Sequence, residues 1–136
     1  INGVLARYSL HQVEEWNQKR AENADYLSEM LNDIEEIETP ITPKGYTHVY
    51  HQYTIKVLDG KREKLITNLQ ENDIGYGIHY AIPIHKQPYY KEIGYENISL
   101  PETEKLCEQV LSLPIHPLVE QKHLDYIADT IKNTFM

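Results

Sequence analysis

Cysteine is nearly absent: Cys107 is the single one in 136 residues. One thiol excludes an internal disulfide framework and any cysteine-rich zinc site, and a reducing, cytoplasmic setting is expected. Basic residues are scarce too. Thirteen Lys and Arg stand against 21 Asp and Glu, for a net charge of −8. Nucleic-acid binders set Lys and Arg against phosphates, and no Lys/Arg run occurs here, so no nucleic-acid partner is expected. No stretch approaches the ~20 apolar residues of a membrane span, so no membrane partner is expected. The start, Ile1-Asn2-Gly3-Val4-Leu5-Ala6-Arg7, lacks the basic opening and long apolar run of a signal peptide. It also lacks Met, so a processed, trimmed or truncated chain is expected. Phe and Trp occur once each, whereas Tyr occurs 11 times. A phenol buries its ring while keeping a polar tip, which suits a domain interface or a cleft wall.

What is present reads as one domain. Residues 1 to about 36 predict one long helix, because Leu10, Val13, Trp16, Arg20, Ala24, Leu27, Leu31 and Ile34 step by three or four. That apolar stripe is longer than a small domain needs, so its first part is expected to pack on something else. Pro40 and Pro43 end it. His48–Val57 predicts a strand, with Val49, His51, Tyr53, Ile55 and Val57 on one face. Arg62–Asn72 predicts a helix, and Ile74–Ile82 a second strand loosened by Gly75 and Gly77. Residues 82–90 read as a loop. Pro101 opens a helix to about Leu111 that buries Leu106, Val110 and Leu111. Residues 112–117 are extended, and a last helix from about Glu120 buries Leu124, Ile127, Ala128, Ile131 and Phe135. The short, Pro-edged strands favour a small, partly antiparallel sheet with helices on one face over a doubly wound parallel sheet.

Seven histidines invite a metal reading, but their spacing opposes it. His48 and His51 point to opposite faces of a strand, and neither His-Glu-x-x-His nor Cys-x-x-Cys occurs. No metal is expected. No Gly-x-Ser-x-Gly elbow occurs, and Cys107 reads as buried packing beside Leu106. The densest polar cluster is Gly75–His85, with two imidazoles, two phenols, two glycines and Pro83. Hydrogen-bonding tips on a short strand that leads into a loop suit the wall of a polar-ligand site.

The run His79-Tyr80, Pro83, His85 and Gln87-Pro88-x-Tyr90 resembles the C-terminal region of the DegT/DnrJ/StrS aminotransferases. Glu15–Arg20 with Ala24 and Tyr26 is similar to their long linking helix. His48–Ile55, Arg62 with Leu65 and Leu69, Leu100-Pro101-x-x-Glu104 and Leu111–Pro117 are similar to the segments that follow. Ala81 and Ser9 depart from the residues common there, Pro and Gln. The resemblance covers essentially the whole chain, in order. It implies an α+β small domain of a fold-type I enzyme, with residues 1–36 as linking helix and 46–136 as the body. It implies a parent homodimer that uses pyridoxal phosphate (PLP) to move an amino group from glutamate to a nucleotide-linked keto sugar, for amino-sugar and polysaccharide biosynthesis. It places His79, Tyr80 and His85 on the substrate-binding wall. It places the Schiff-base lysine and the cofactor's other ligands upstream, so that this segment alone is expected to hold no cofactor and to be inactive. The other reading is a stand-alone module that binds a nucleotide sugar or a protein, or regulates, without catalysis.

Overall fold

A computed structural model describes residues 1–95 and 97–135. The expected single N-terminal helix is two: α1 (Asn2–Leu10) and α2 (Val13–Leu31). They part at His11 and Gln12, where backbone N–H groups bond three residues back, to Tyr8 and Ser9. No Gly or Pro causes this break. Its setting is a loss of packing: α1 buries no residue, and Val4, Leu5, Tyr8 and Leu10 lie exposed. In water a helix depends on packing of its apolar face more than on propensity. The stripe of α2 is packed, with Ala24, Leu27 and Leu31 fully buried.

The helix also stops at Leu31, short of residue 36. Beyond it Ile37–Glu38 forms a short strand, β1, paired antiparallel with the end of β2 (Tyr53–Val57). The strand expected from His48 begins only at Tyr53. Tyr50 sits at φ 44°, in the left-handed region, and its N–H donates to His48 Nδ1 at 2.8 Å. That local turn takes residues 48–50 out of any ladder. Within β2 burial alternates: Tyr53, Ile55 and Val57 are buried, whereas Thr54 and Lys56 are partly exposed.

Helix α3 (Arg62–Glu71) falls where expected and buries Leu65, Ile66 and Leu69. The second predicted strand does not form. In Ile74–Ile82 only Gly77 pairs, exchanging both backbone hydrogen bonds with Ser112 at 3.0 and 2.7 Å. Two glycines in so short a stretch leave little side-chain contact to extend a ladder. Residues 82–90 are more ordered than a loop. Ile84–Lys86 makes a tight helical turn, and α4 (Pro88–Tyr90) leads into irregular helical residues that kink at Ile93 and Gly94.

Helix α5 (Pro101–Gln109) ends two residues early, because Val110–Leu113 is the strand β3. Leu106 is exposed and Cys107 half-buried, contrary to the buried packing expected of both. Strands run β1-β2-β3, all antiparallel, with Tyr53 opposite Leu113 and Thr54 opposite Ser112. Helix α6 (Gln121–Phe135) packs on α2 and α3. Its Leu124, Ile127, Ala128 and Ile131 join Leu27, Leu31, Leu65 and Leu69 and the buried residues of β2 and β3 in one core, with Phe135 at its margin. Each such fully buried aliphatic side chain contributes about 1.5–3 kcal/mol. Asn68 ties α3 to α6, donating to the Thr130 carbonyl at 2.9 Å and to Thr134 Oγ1 at 2.7 Å. Among the described residues no helix is long and apolar enough to cross a membrane.

Candidate functional site

Thr54 and Ser112 face each other across β2 and β3, so their side chains share one face of the sheet. Their hydroxyls lie 2.8 Å apart. Gly77 pairs with the other edge of β3, which brings the next residues over that hydroxyl pair. His79 Nδ1 stands 3.4 Å from Ser112 Oγ. Gly77 must be glycine for this: a Cβ there would collide with the His79 ring.

His79 lines a concavity of about 520 Å³. Arg20 of α2 lines it too, with His51 before β2, Ser112, and His116 after β3. The Arg20 guanidinium donates to Asn17 Oδ1 at 3.2 Å and, among the described residues, makes no ion pair. No Asp or Glu lines the concavity, although the chain carries eight more acidic than basic residues. One guanidinium, three imidazoles and no carboxylate make a wall receptive to oxyanions.

Tyr80 turns elsewhere. Its ring lies 5.9 Å from that of His79, edge to face, and is 75% exposed. It lines a second concavity of about 530 Å³, with Ile82, Pro83, Gln87, Tyr90, Thr103 and Cys107 around it. His85 lines neither. It is buried, and its Nε2 lies 2.9 Å from Glu104 Oε1. The structure thus sets the His79 and Tyr80 rings side by side, each lining a different hollow, and buries His85 against Glu104 of α5.

Glu104 gathers further donors. The N–H of Leu100 reaches the same Oε1 at 2.9 Å, and Lys86 Nζ at 3.3 Å. The His85 hydrogen bond first, then the Leu100 N–H and Lys86, hold its carboxyl at about 2, well below the usual carboxylate range. Among the described residues no group of three or more His, Cys, Asp and Glu is placed to hold a metal ion.

Comparison with known proteins decides the family. The sequence profile of the DegT/DnrJ/EryC1/StrS aminotransferase family matches residues 1–132. The chain belongs to that family. Over 133 residues it is 32% identical to the pleiotropic regulatory protein of Geobacillus stearothermophilus, covering 96% of this chain and 35% of that protein. It is 31% identical to the UDP-N-acetyl-3-dehydro-alpha-D-glucosamine 3-aminotransferase of Acidithiobacillus ferrooxidans, covering 98% of this chain and 35% of that enzyme. In structure it matches S. venezuelae DesV, solved in complex with a ketimine intermediate. That TM-score is 0.88 at 29% identity, over 95% of this chain and 34% of DesV. The chain therefore spans about a third of the length of these DegT/DnrJ/EryC1/StrS relatives, and its fold is the α+β fold found within fold-type I sugar aminotransferases.

The family implies PLP, which is held through an amine on its aldehyde and a carboxylate on its pyridine nitrogen. The 520 Å³ concavity is lined by neither a lysine nor a carboxylate, so its donor set does not fit that group.

Sequence reasoning did not single out Arg20, Ser112 or His116 for this site. Arg20 left a trace: a charged residue at a core position of the α2 stripe. Ser112, between Leu111 and Leu113, left another, since a small hydroxyl stands there among buried aliphatics.

Proposed function

We propose that this chain is the substrate-side portion of a PLP-dependent aminotransferase. The enzyme moves an amino group from glutamate to a nucleotide-linked keto sugar for amino-sugar or polysaccharide biosynthesis, and works as a cytoplasmic homodimer. Beyond family membership, the carboxylate-free hollow carries the reading. Arg20 and His79 offer guanidinium and imidazole N–H groups to a diphosphate, and the Ser112 hydroxyl stands beside them. His79 and Tyr80 form the exposed part of the sugar wall, and His85 supports it from beneath. None of the three moves the reacting proton; the amine and the cofactor ligands belong to the rest of the enzyme, and this segment by itself binds no cofactor and is inactive.

The test uses the full-length polypeptide that contains this chain. Glutamate-dependent amination of UDP- and dTDP-linked keto sugars is expected, with the KM for the sugar raised about tenfold by His79→Ala, as loss of one charge-assisted hydrogen bond predicts. Absence of any amination across these substrates, with cofactor bound, would refute the reading.

The name of the G. stearothermophilus relative favours a second reading, regulation. The net charge of −8 opposes direct DNA contact. A gel shift at low salt distinguishes the two, and a specific complex would favour regulation.

A further inference from the structure

The stretch from Ile78 to Lys86 crosses the surface as a strap. Tyr80 is 75% exposed, Ile82 54% and Ile84 64%. It is fastened at both ends. At one end Gly77 exchanges two backbone hydrogen bonds with Ser112 of β3. At the other, His85 is buried and bonded to Glu104, and Lys86 reaches the same carboxylate oxygen. Between the fastenings, among the described residues, the only side-chain hydrogen bond of the strap is that of His79 to Ser112. Ile78, beside the first fastening, packs against the core; beyond it the segment takes its position from its anchors.

Glu104 stands in the first turns of α5, and the Leu100 N–H at the start of that helix also bonds to its Oε1. One oxygen thus joins three donors: an imidazole, an ammonium and a helix-start N–H. A carboxylate is the side chain for this, since charge strengthens each bond and its lone pairs accept several donors at once.

We propose that Glu104 is a positioning residue: it clamps His85 and Lys86 to the start of α5 and so fixes the strap on which Tyr80 stands. That the strap serves a sugar site rests on the function proposed above; the clamp itself does not. Glu104 touches no substrate and acts through the strap.

Hydrogen–deuterium exchange on the full-length polypeptide tests it, comparing the parent with Glu104→Gln and His85→Phe. His85→Phe keeps a buried ring and leaves the Glu104–Leu100 bond intact, which separates strap release from fraying of α5. Exchange of the hydrogen-bonded amides of Lys86, Gln87 and Tyr90 is expected to rise about tenfold in both variants, the equivalent of one charge-assisted hydrogen bond lost. Protection of β2 and α6 should be unchanged, and His85→Gln, which restores an N–H donor, should recover part of the loss. Unchanged exchange of Lys86, Gln87 and Tyr90 in His85→Phe overturns the proposal. The sugar KM of the same variants is the second readout. Faster exchange with a raised sugar KM and unaltered glutamate KM supports both the clamp and the sugar wall. Faster exchange with an unaltered sugar KM supports the clamp and overturns the sugar wall.

Discussion

His79 Nδ1 lies 3.4 Å from Ser112 Oγ, which in turn lies 2.8 Å from Thr54 Oγ1. The imidazole is thus referenced to the central strands through a chain of two hydroxyls. In Ser112→Ala both contacts vanish. Removing one such hydrogen bond costs about 1 kcal/mol, read as a lower midpoint in denaturant. The His79 ring resonances should shift in the same variant.

Gly77→Ala separates ring placement from stability. The new Cβ would meet the His79 ring, with Nδ1 at 3.1 Å. His79 is exposed and free to swing aside, so the denaturation midpoint is expected to move by less than about 1 kcal/mol. Affinity for a nucleotide-linked sugar should fall as far as in His79→Ala. Parent-like affinity in Gly77→Ala would show that the ring does not touch the ligand.

Glu104 sets an acid limit. Its carboxyl titrates at about 2 in the folded chain against 4.5 for the free group. A folded value below the unfolded one means that its contribution is fully present above 4.5 and is lost as pH falls towards 2. Thermal midpoints of the parent and Glu104→Gln should therefore differ at neutral pH and converge across that window. A constant gap would mean that charge contributes nothing to the pair.

Tyr53 tests the buried side of the sheet. Its ring is fully buried and its hydroxyl lies 2.9 Å from Ser28 Oγ; burial pushes the phenol up to about 12. Tyr53→Phe should cost about 1 kcal/mol, because Ser28 keeps its bond to the Ala24 carbonyl. Ile131→Ala, also fully buried, should cost about 2–5 kcal/mol through the cavity it leaves.

Helix α1 predicts the opposite. It buries no residue, so deleting residues 1–10 should leave the midpoint of the remaining chain within about 0.5 kcal/mol. A larger loss would mean that α1 nucleates α2.

Periodicity was informative where a helix face meets the core. Leu27 and Leu31, Leu65 and Leu69, and Leu124, Ile127 and Ile131 were all legible as inward residues, because a 3.6-residue period has one reading when the stripe is long. The α+β class and the boundaries of α3 and α6 followed. Strands were less legible. Val110–Leu113 was split between a helix end and an extended segment, since four residues carry too little period to separate the two. Residues 48–50 had strand composition, yet the His48 side chain captured the Tyr50 N–H. At the site, His79, Tyr80 and His85 stood out as an imidazole and phenol cluster, but sequence placed all three on one wall.

By itself the sequence determined what local chemistry and pattern can carry. Stripe spacing specified the packing faces of α2, α3 and α6. The shortage of Lys and Arg opposed nucleic acid, and the ordered motifs specified the family. Tertiary structure alone decided the rest, because it depends on contacts between distant residues. Ser112 is 33 residues from His79 and lies 3.4 Å from its ring; Glu104 is 19 residues from His85 and lies within hydrogen-bond distance of it, at 2.9 Å. Arg20 reaches the same hollow as His116 only because α2 packs beside the segment after β3, where the Asn23 amide donates to the His116 carbonyl at 3.4 Å. No period or motif encodes such distances; the closing of the core sets them.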